Sequence, residues 1–180
     1  MLRLNLGCSD DHKAGYVNVD CAPPADVVTD LCLRWPWEDS TVDEIYAHDV
    51  FEHLWDRASG RMGNHGKIWA LNEAWRVLTS GGKLDMAVPS VILSDGRMNP
   101  GAFADPTHVS FWTPDDRYYF LEEWNNPQGE RGRLGPAYGI KALFRPLSFK
   151  VHDYGYWKLH EYGMGHERRS KILAMLEAVK

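Results

Sequence analysis

Residues 2–20, LRLNLGCSDDHKAGYVNVD, constrain the fold of this chain more than any other stretch. Leu2, Leu4 and Leu6 alternate with polar positions, Gly7-Cys8-Ser9 interrupts the pattern, and Tyr16-Val17-Asn18-Val19 resumes it as far as Asp20. The period of two reads as a strand, a tight turn of small residues, a short crossover and a second strand ending in a carboxylate. Small residues at a strand end let a ligand approach the backbone closely. A carboxylate at the tip of the neighbouring parallel strand can accept hydrogen bonds from both hydroxyls of a ribose. The stretch therefore predicts a nucleoside-containing cofactor at the carboxyl edge of a parallel sheet. The link from Gly7 to Tyr16 is shorter than the dozen or more residues of a usual crossover, so the first helix is expected to shrink to a turn or a loop.

The following segments extend the sheet. Residues 26–31 (DVVTDL) read as a short third strand, and the alternation over 42–47 (VDEIYA) as a fourth. Residues 48–54 start a helix and 57–66 form a loop or an interruption. Residues 67–78 carry Ile68, Leu71, Trp75 and Leu78 at helical spacing, with Ala74 on the same side and Glu73 and Arg76 outside the stripe. Gly81-Gly82 stops that helix, and 83–88 alternate again as a fifth strand. Strands joined in this order predict an α/β fold, a mostly parallel sheet with helices on both faces. Beyond Ser90 the signals weaken. Residues 115–124 are expected to be helical and aromatic, 125–139 a polar loop, and 147–151 with 154–159 a closing antiparallel pair. Ile172, Leu173, Leu176 and Val179 predict a terminal helix over 166–179.

A chain of 180 residues builds one domain with a full core, expected here to place cofactor residues in 1–90 and acceptor residues in 91–180. The net charge of −5 disfavours general affinity for a nucleic-acid backbone. No apolar run approaches the roughly 20 residues that span a bilayer. The chain enters its first strand at once, so no signal peptide is expected. Cys8, Cys21 and Cys32 show no metal-type or disulfide-type spacing, which fits reduced thiols and a cytoplasmic protein.

The segments LNLGCSD at 4–10, VNVD at 17–20, ADVVTDL at 25–31, VDEIYAHDVFEHL at 42–54 and LNEAWRVLTSGGKLDMAVPS at 71–90 occur in one order and at one set of spacings. In both respects the chain resembles the Rossmann-like, class I S-adenosylmethionine-dependent methyltransferases, especially their small, broad-substrate branch. The resemblance implies S-adenosylmethionine as cofactor and methyl transfer to a small-molecule or sugar-like acceptor. It also implies a pocket in which Asn5, Leu6, Gly7 and Cys8 underlie the methionine and sugar. Asp20 would bind the ribose, with Cys21 near the adenine. Asp30 and Leu31 would meet the adenine edge, and Ala47 and His48 would border the sulfonium. The family usually carries an acid where Asn5 stands and a second glycine where Ser9 stands. Other uses of the cofactor, such as its cleavage, and a non-catalytic binding module are the alternatives.

Methyl transfer from a sulfonium needs alignment and exclusion of water, and a base only where the acceptor holds its proton near neutral pH. His48, His53 and His108 are the candidate catalytic groups. Glu52-His53 stands where related enzymes and fatty-acyl cyclopropane synthases carry a Glu-His pair; the plainer reading is a capping glutamate and a loop-binding histidine. His108 lies in DPTHVSFWTP at 105–114, a segment that in relatives folds over the acceptor side. Trp112, Tyr118, Tyr119 and Phe120 either wall an acceptor pocket or belong to the core. The spacing of His48, His53 and His108 matches no common set of ligands, so no metal is expected. Residue 47 and its followers lack the Pro-Pro-aromatic signature of DNA amino-methyltransferases, and no cysteine follows a proline as in the cytosine-ring enzymes. Residues 7–10 lack the three-glycine fingerprint of NAD enzymes.

Overall fold

The computed structural model describes residues 1–60, 64–125, 128, 132, 134–160 and 163–180; of the side chains of 64, 156–160 and 163–167 only the backbone is described. Parts of the loops expected at 57–66 and 125–139 lie outside the described residues, as does the side chain of His166.

Seven strands form one sheet in the order β3-β2-β1-β4-β5-β7-β6. β1 (Arg3–Leu6), β2 (Val17–Asp20), β3 (Val27–Val28), β4 (Val42–His48) and β5 (Leu78–Pro89) run parallel. β6 (Phe144–His160) and β7 (Gly163–Ala178) are antiparallel to each other, and β7 runs antiparallel to β5. The order of the first five strands reverses at β1, which places the ends of β1, β2 and β4 around one crevice, the usual ligand position in such sheets. The link between β1 and β2 contains no helix, as its length predicts.

α1 (Asn64–Val77) is the longest helix among the described residues and connects β4 to β5. Its Ala70, Leu71, Ala74 and Val77 are buried with Ile45, Ala47, Leu84 and Met86 of the sheet, and Trp35 fills the space beside them. The opposite face of the sheet, expected to carry a second helical layer, is covered differently. Asn5 and Asn18 join through Asn5 Nδ2, which donates to Asn18 Oδ1 at 2.9 Å and to the carbonyl of Asp11 at 2.8 Å, pulling the short link down onto the strands. Farther along, Lys13 Nζ sits 3.6 Å from the centroid of the Tyr46 ring, and Tyr46 stacks on His48. The link is too short for a helix, so these side chains shield that part of the face.

The C-terminal segment corrects two expectations. Residues 147–151 and 154–159 are not the two arms of a pair but parts of one strand, β6, whose partner β7 replaces the expected terminal helix. Ile172, Ala174, Leu176 and Ala178 are all buried, which is the period of a strand. The apolar run there satisfies a helical and an extended period alike, and the open edge of β5, paired from Lys83↔Glu177 to Pro89↔Lys171, decides between them. Residues 115–124 form separate short turns rather than one helix, with the single α-turn confined to Arg117–Phe120. β5 also begins at Leu78, so Gly81 (φ 77°) lies inside the extended segment instead of ending a helix.

Glu73 and Arg76, outside the apolar stripe of α1, tie the 35–39 loop to the helix. Glu73 Oε2 accepts from the backbone N–H of Trp35 at 2.9 Å and from Arg76 at 2.7 Å, and Arg76 donates to the carbonyls of Trp35 and Trp37 and to Asp39. Truncation of one partner leaves a buried charge unpaired. Glu73→Ala is expected to cost about 3 kcal/mol in urea unfolding, whereas Asp39→Ala, which removes the exposed partner, should cost under about 1 kcal/mol.

Candidate functional site

Two clefts open side by side at the carboxyl ends of the parallel strands. The first, of ≈ 620 Å³, is lined by Gly7, Asp20, Cys21, Thr29, Asp30, Leu31, Cys32, Asp49, Val50, His53, Leu54, Trp55 and Arg57. Gly7 is required at its base: φ is 62°, and a Cβ there would fall 2.4 Å from Val50 Cγ2. Asp20 ends β2 with one carboxylate oxygen accepting from the N–H of Ser9 at 2.9 Å and the other from that of Cys21 at 2.7 Å. Burial raises the Asp20 carboxyl, but the N–H groups of Ser9, Cys21 and Ala22 outweigh it and hold the group below its ordinary value, so it is ionised at neutral pH. Ser9 adopts φ 41°, the backbone conformation for which a glycine is the easier choice. Asp30 accepts from the Cys32 N–H and forms an ion pair with Arg57, and both residues line the cleft.

The second cleft, of ≈ 550 Å³, is lined by Asp49, Glu52, His53, Pro89, Asn99, Gly101, Ala104, Asp105, Pro106, His108, Tyr154, Arg169, Ser170 and Lys171. Asp49 and His53 belong to both clefts. Asp49 follows β4 with φ 56° and pairs with Lys171 of β7. A non-glycine residue in this region marks local strain of the kind that collects at functional sites.

Segment 105–110 reaches this cleft because it is strapped to the 3-10 turn Phe51–His53. The backbone N–H groups of Val109 and Ser110 both donate to the carbonyl of Glu52, at 2.9 and 3.1 Å. Asn99, only 1% exposed, anchors the preceding loop by donating to the carbonyls of Ser90 and Ser170 and accepting from Gly101 N–H. The strap sets the rings of His53 and His108 4.9 Å apart, edge to face.

Of the sequence-expected cofactor residues, Gly7, Asp20, Cys21, Asp30 and Leu31 line the first cleft. Leu6, Cys8 and Ala47 are buried in the sheet behind it, and Asn5 is taken up by Asp11 and Asn18. His48 lines neither cleft: its Nδ1 is 2.8 Å from the Tyr46 hydroxyl and its Nε2 3.0 Å from Asp85 Oδ1, on the face opposite α1. Alternation along β4 puts Tyr46 and His48 on one side and Ala47 on the other, which separates His48 from the other two histidines. Trp112 and Phe120 are buried in the core beside Leu71, Met86 and Ile172, whereas Tyr118 and Tyr119 are half-buried; none of the four lines the second cleft, and Tyr119 and Phe120 line a separate cavity of ≈ 400 Å³ with Lys67, Ile68 and Tyr138. Sequence reasoning missed Thr29, Trp55 and Arg57 in the first cleft and Arg169 and Lys171 in the second. The position of Asp49 just past β4 was a usable signal; the β7 residues gave none without the strand pairing.

Glu52 is 1% exposed, and neither of its carboxylate oxygens has a hydrogen-bond partner among the described residues. Burial pushes its carboxyl up to about 8.

No family model matches the sequence, and no curated protein matches it in sequence. In structure the chain is similar to a candidate methyltransferase from Bacillus halodurans, with TM-score 0.65 and 12% identity over 99% of this chain and 92% of the other. It is similar to the Burkholderia thailandensis 1,6-didemethyltoxoflavin-N1-methyltransferase, solved with 1,6-didemethyltoxoflavin and S-adenosylhomocysteine, with TM-score 0.54 and 10% identity over 99% and 71%. A third similarity is to a chain of the complex between the Haloferax volcanii Trm112 methyltransferase activator and its candidate methyltransferase, with TM-score 0.56 and 14% identity over 99% and 83%. The fold is therefore that of the class I, Rossmann-like S-adenosylmethionine-dependent methyltransferases. No helix among the described residues is long and apolar enough to cross a membrane.

Because the folded chain holds the Glu52 proton up to about 8 while the unfolded chain releases it near 4.5, the native state loses stability as pH rises between those values. Glu52→Gln removes the titration. In EDTA, its Tm should exceed that of the parent by a margin that grows from pH 5 to pH 8, as read by calorimetry; parallel pH profiles would show that Glu52 ionises normally.

Proposed function

We propose that the chain binds S-adenosylmethionine in the first cleft and transfers its methyl group to a small-molecule or sugar-like acceptor in the second. The observation that carries this reading is that the two clefts share Asp49 and His53, so a sulfonium in one faces an acceptor in the other across a common wall. Asp20, ionised at the tip of β2, is the acceptor for the ribose hydroxyls. Gly7 leaves the backbone of β1 open to the methionine portion. Asp30 and Leu31 are suited to the adenine, with Arg57 and Trp55 as a cover.

The second cleft has the size of a site for a small ligand. Its wall is polar, with Asp49, Asn99, Asp105, Arg169 and Lys171 supplying both donors and acceptors, which supports a hydroxyl-rich acceptor over an apolar one. His53, on the shared wall, and His108 behind it are the groups suited to take the acceptor's proton or to hold its oxygen. The methyl carbon is electrophilic by virtue of the sulfonium, so the remaining task of the protein is alignment. Three free cysteines support a reducing compartment and hence the cytoplasm. The acidic charge balance supports a small acceptor over nucleic acid.

Removing the ribose carboxylate tests the cofactor assignment directly. The lost charge-assisted hydrogen bonds are worth about 1.5–3 kcal/mol. Asp20→Ala and Asp20→Asn should accordingly bind S-adenosylmethionine about tenfold to a hundredfold more weakly in calorimetry. Unchanged affinity in both variants would sink the assignment. With a methyl-labelled cofactor and a small-molecule cell extract, the parent protein should label an acceptor that the two variants label poorly.

A further inference from the structure

Glu52, His53 and His108 each present one donor atom within 4.8 Å of the other two, at the floor of the second cleft. The hydrogen bonds around the two rings fix which nitrogen of each is free to bind an ion. His108 Nδ1 lies 2.9 Å from the carbonyl of Ala102, which can only accept, so that nitrogen carries the proton. His53 Nδ1 lies 3.0 Å from the Thr107 hydroxyl and 3.3 Å from the Thr107 carbonyl. The Thr107 hydroxyl already donates to Asp105 Oδ1 at 2.6 Å, so it accepts from His53, and that Nδ1 also carries the proton. Both rings thus keep Nε2 as a lone pair. For His108 the nearest carboxylate, Asp105 Oδ2, lies 3.9 Å away, beyond a hydrogen bond.

Two imidazole lone pairs therefore belong to the same cluster as a buried carboxylate whose two oxygens have no hydrogen-bond partner among the described residues. With Glu52 ionised, such a cluster has acceptors and no donor. A single proton on Glu52 serves one ring nitrogen and leaves the other unsatisfied, whereas a cation serves all three groups at once. Donors at tetrahedral angles around an ion bonded at about 2.1 Å stand about 3.4 Å apart, so the separations must close by up to about 1.4 Å, shared between pairs of side chains, for the three groups to hold one ion. The rings are also held in the manner of metal ligands, each with its Nδ1–H given to an oxygen of a fixed loop.

We propose that Glu52, His53 and His108 form a His2Glu site for one divalent transition-metal ion of the zinc, iron or cobalt class. Mixed imidazole and carboxylate donors suit these ions better than magnesium or calcium, which take oxygen ligands. Three protein ligands leave coordination positions open toward the cleft. An acceptor hydroxyl bound there would have its pKa lowered by the ion, which removes the need for a dedicated base beside the methyl group. The expectation of no metal rested on the spacing of His48, His53 and His108; the proposed site takes Glu52 in place of His48, which lies elsewhere. The part given to the ion in methyl transfer rests on the function proposed above, whereas metal binding itself does not, and its test does not pass through the cofactor.

Tag-free, EDTA-treated protein titrated with Co²⁺ should develop visible d–d absorption that saturates at one equivalent, with binding confirmed by calorimetry. His53→Ala, His108→Ala and Glu52→Gln should each weaken Co²⁺ binding by at least about tenfold. His12→Ala, at an exposed histidine remote from the cluster, should bind as the parent does. His53 is partly exposed, so its variant keeps the test valid even where His108→Ala perturbs folding, and melting curves report that directly. Absence of a saturable signal in the parent protein would overturn the proposal. So would binding that survives unchanged in His53→Ala and Glu52→Gln. Neither result would alter the effect of Asp20→Ala on S-adenosylmethionine.

Discussion

The pairing of β7 along β5 is the contact on which most of the architecture rests. It closes the open edge of the parallel sheet with a strand whose alternate residues, Ile172, Ala174, Leu176 and Ala178, complete the core beneath α1. In the same register it delivers Arg169, Ser170 and Lys171 to the wall of the second cleft, Lys171 opposite Asp49. Ser170 also offers its carbonyl to the N–H of Ser90 and to Asn99, which anchors the loop carrying Ala102. A single strand pairing thus determines both hydrophobic closure and the shape of the second cleft.

The two clefts are built by different means. The first arises from strand ends, where a glycine, two aspartates and parallel register are enough to place a ligand against the backbone. The second arises from loops held by buried polar contacts, chiefly the Glu52 carbonyl accepting from Val109 and Ser110, and the side chain of Asn99. Hydrogen bonds of this kind fix geometry across long sequence separations, and they bring a glutamate and two histidines from unrelated segments to one point.

The shortened link between β1 and β2 has a further consequence. With no helix in that link, this part of the sheet is shielded by Tyr46, His48, Lys13 and the Asn5–Asn18 pair. Asn5, standing where an acid is usual in the family that the chain resembles, serves this covering role, and His48 is drawn into it by Asp85. Residues that in sequence look adjacent to the cofactor are thereby committed to the structure.

Local pattern was sufficient for β1, β2, β4 and α1 and for Gly7, Asp20 and Asp30, because each depends on period, turn chemistry or position at a strand end. These are properties of a few consecutive residues. The C-terminal strands were misread because their apolar run satisfies two periods, and only the free edge of β5 selects the extended one. The aromatic residues of 112–120 were ambiguous for the same reason: burial depends on what packs above them. The convergence of Glu52, His53 and His108, and the separation of His48 from them, belong entirely to tertiary structure. Side-chain direction along β4 and hydrogen bonds between segments more than 50 positions apart decide it, and no spacing rule in a single sequence encodes either.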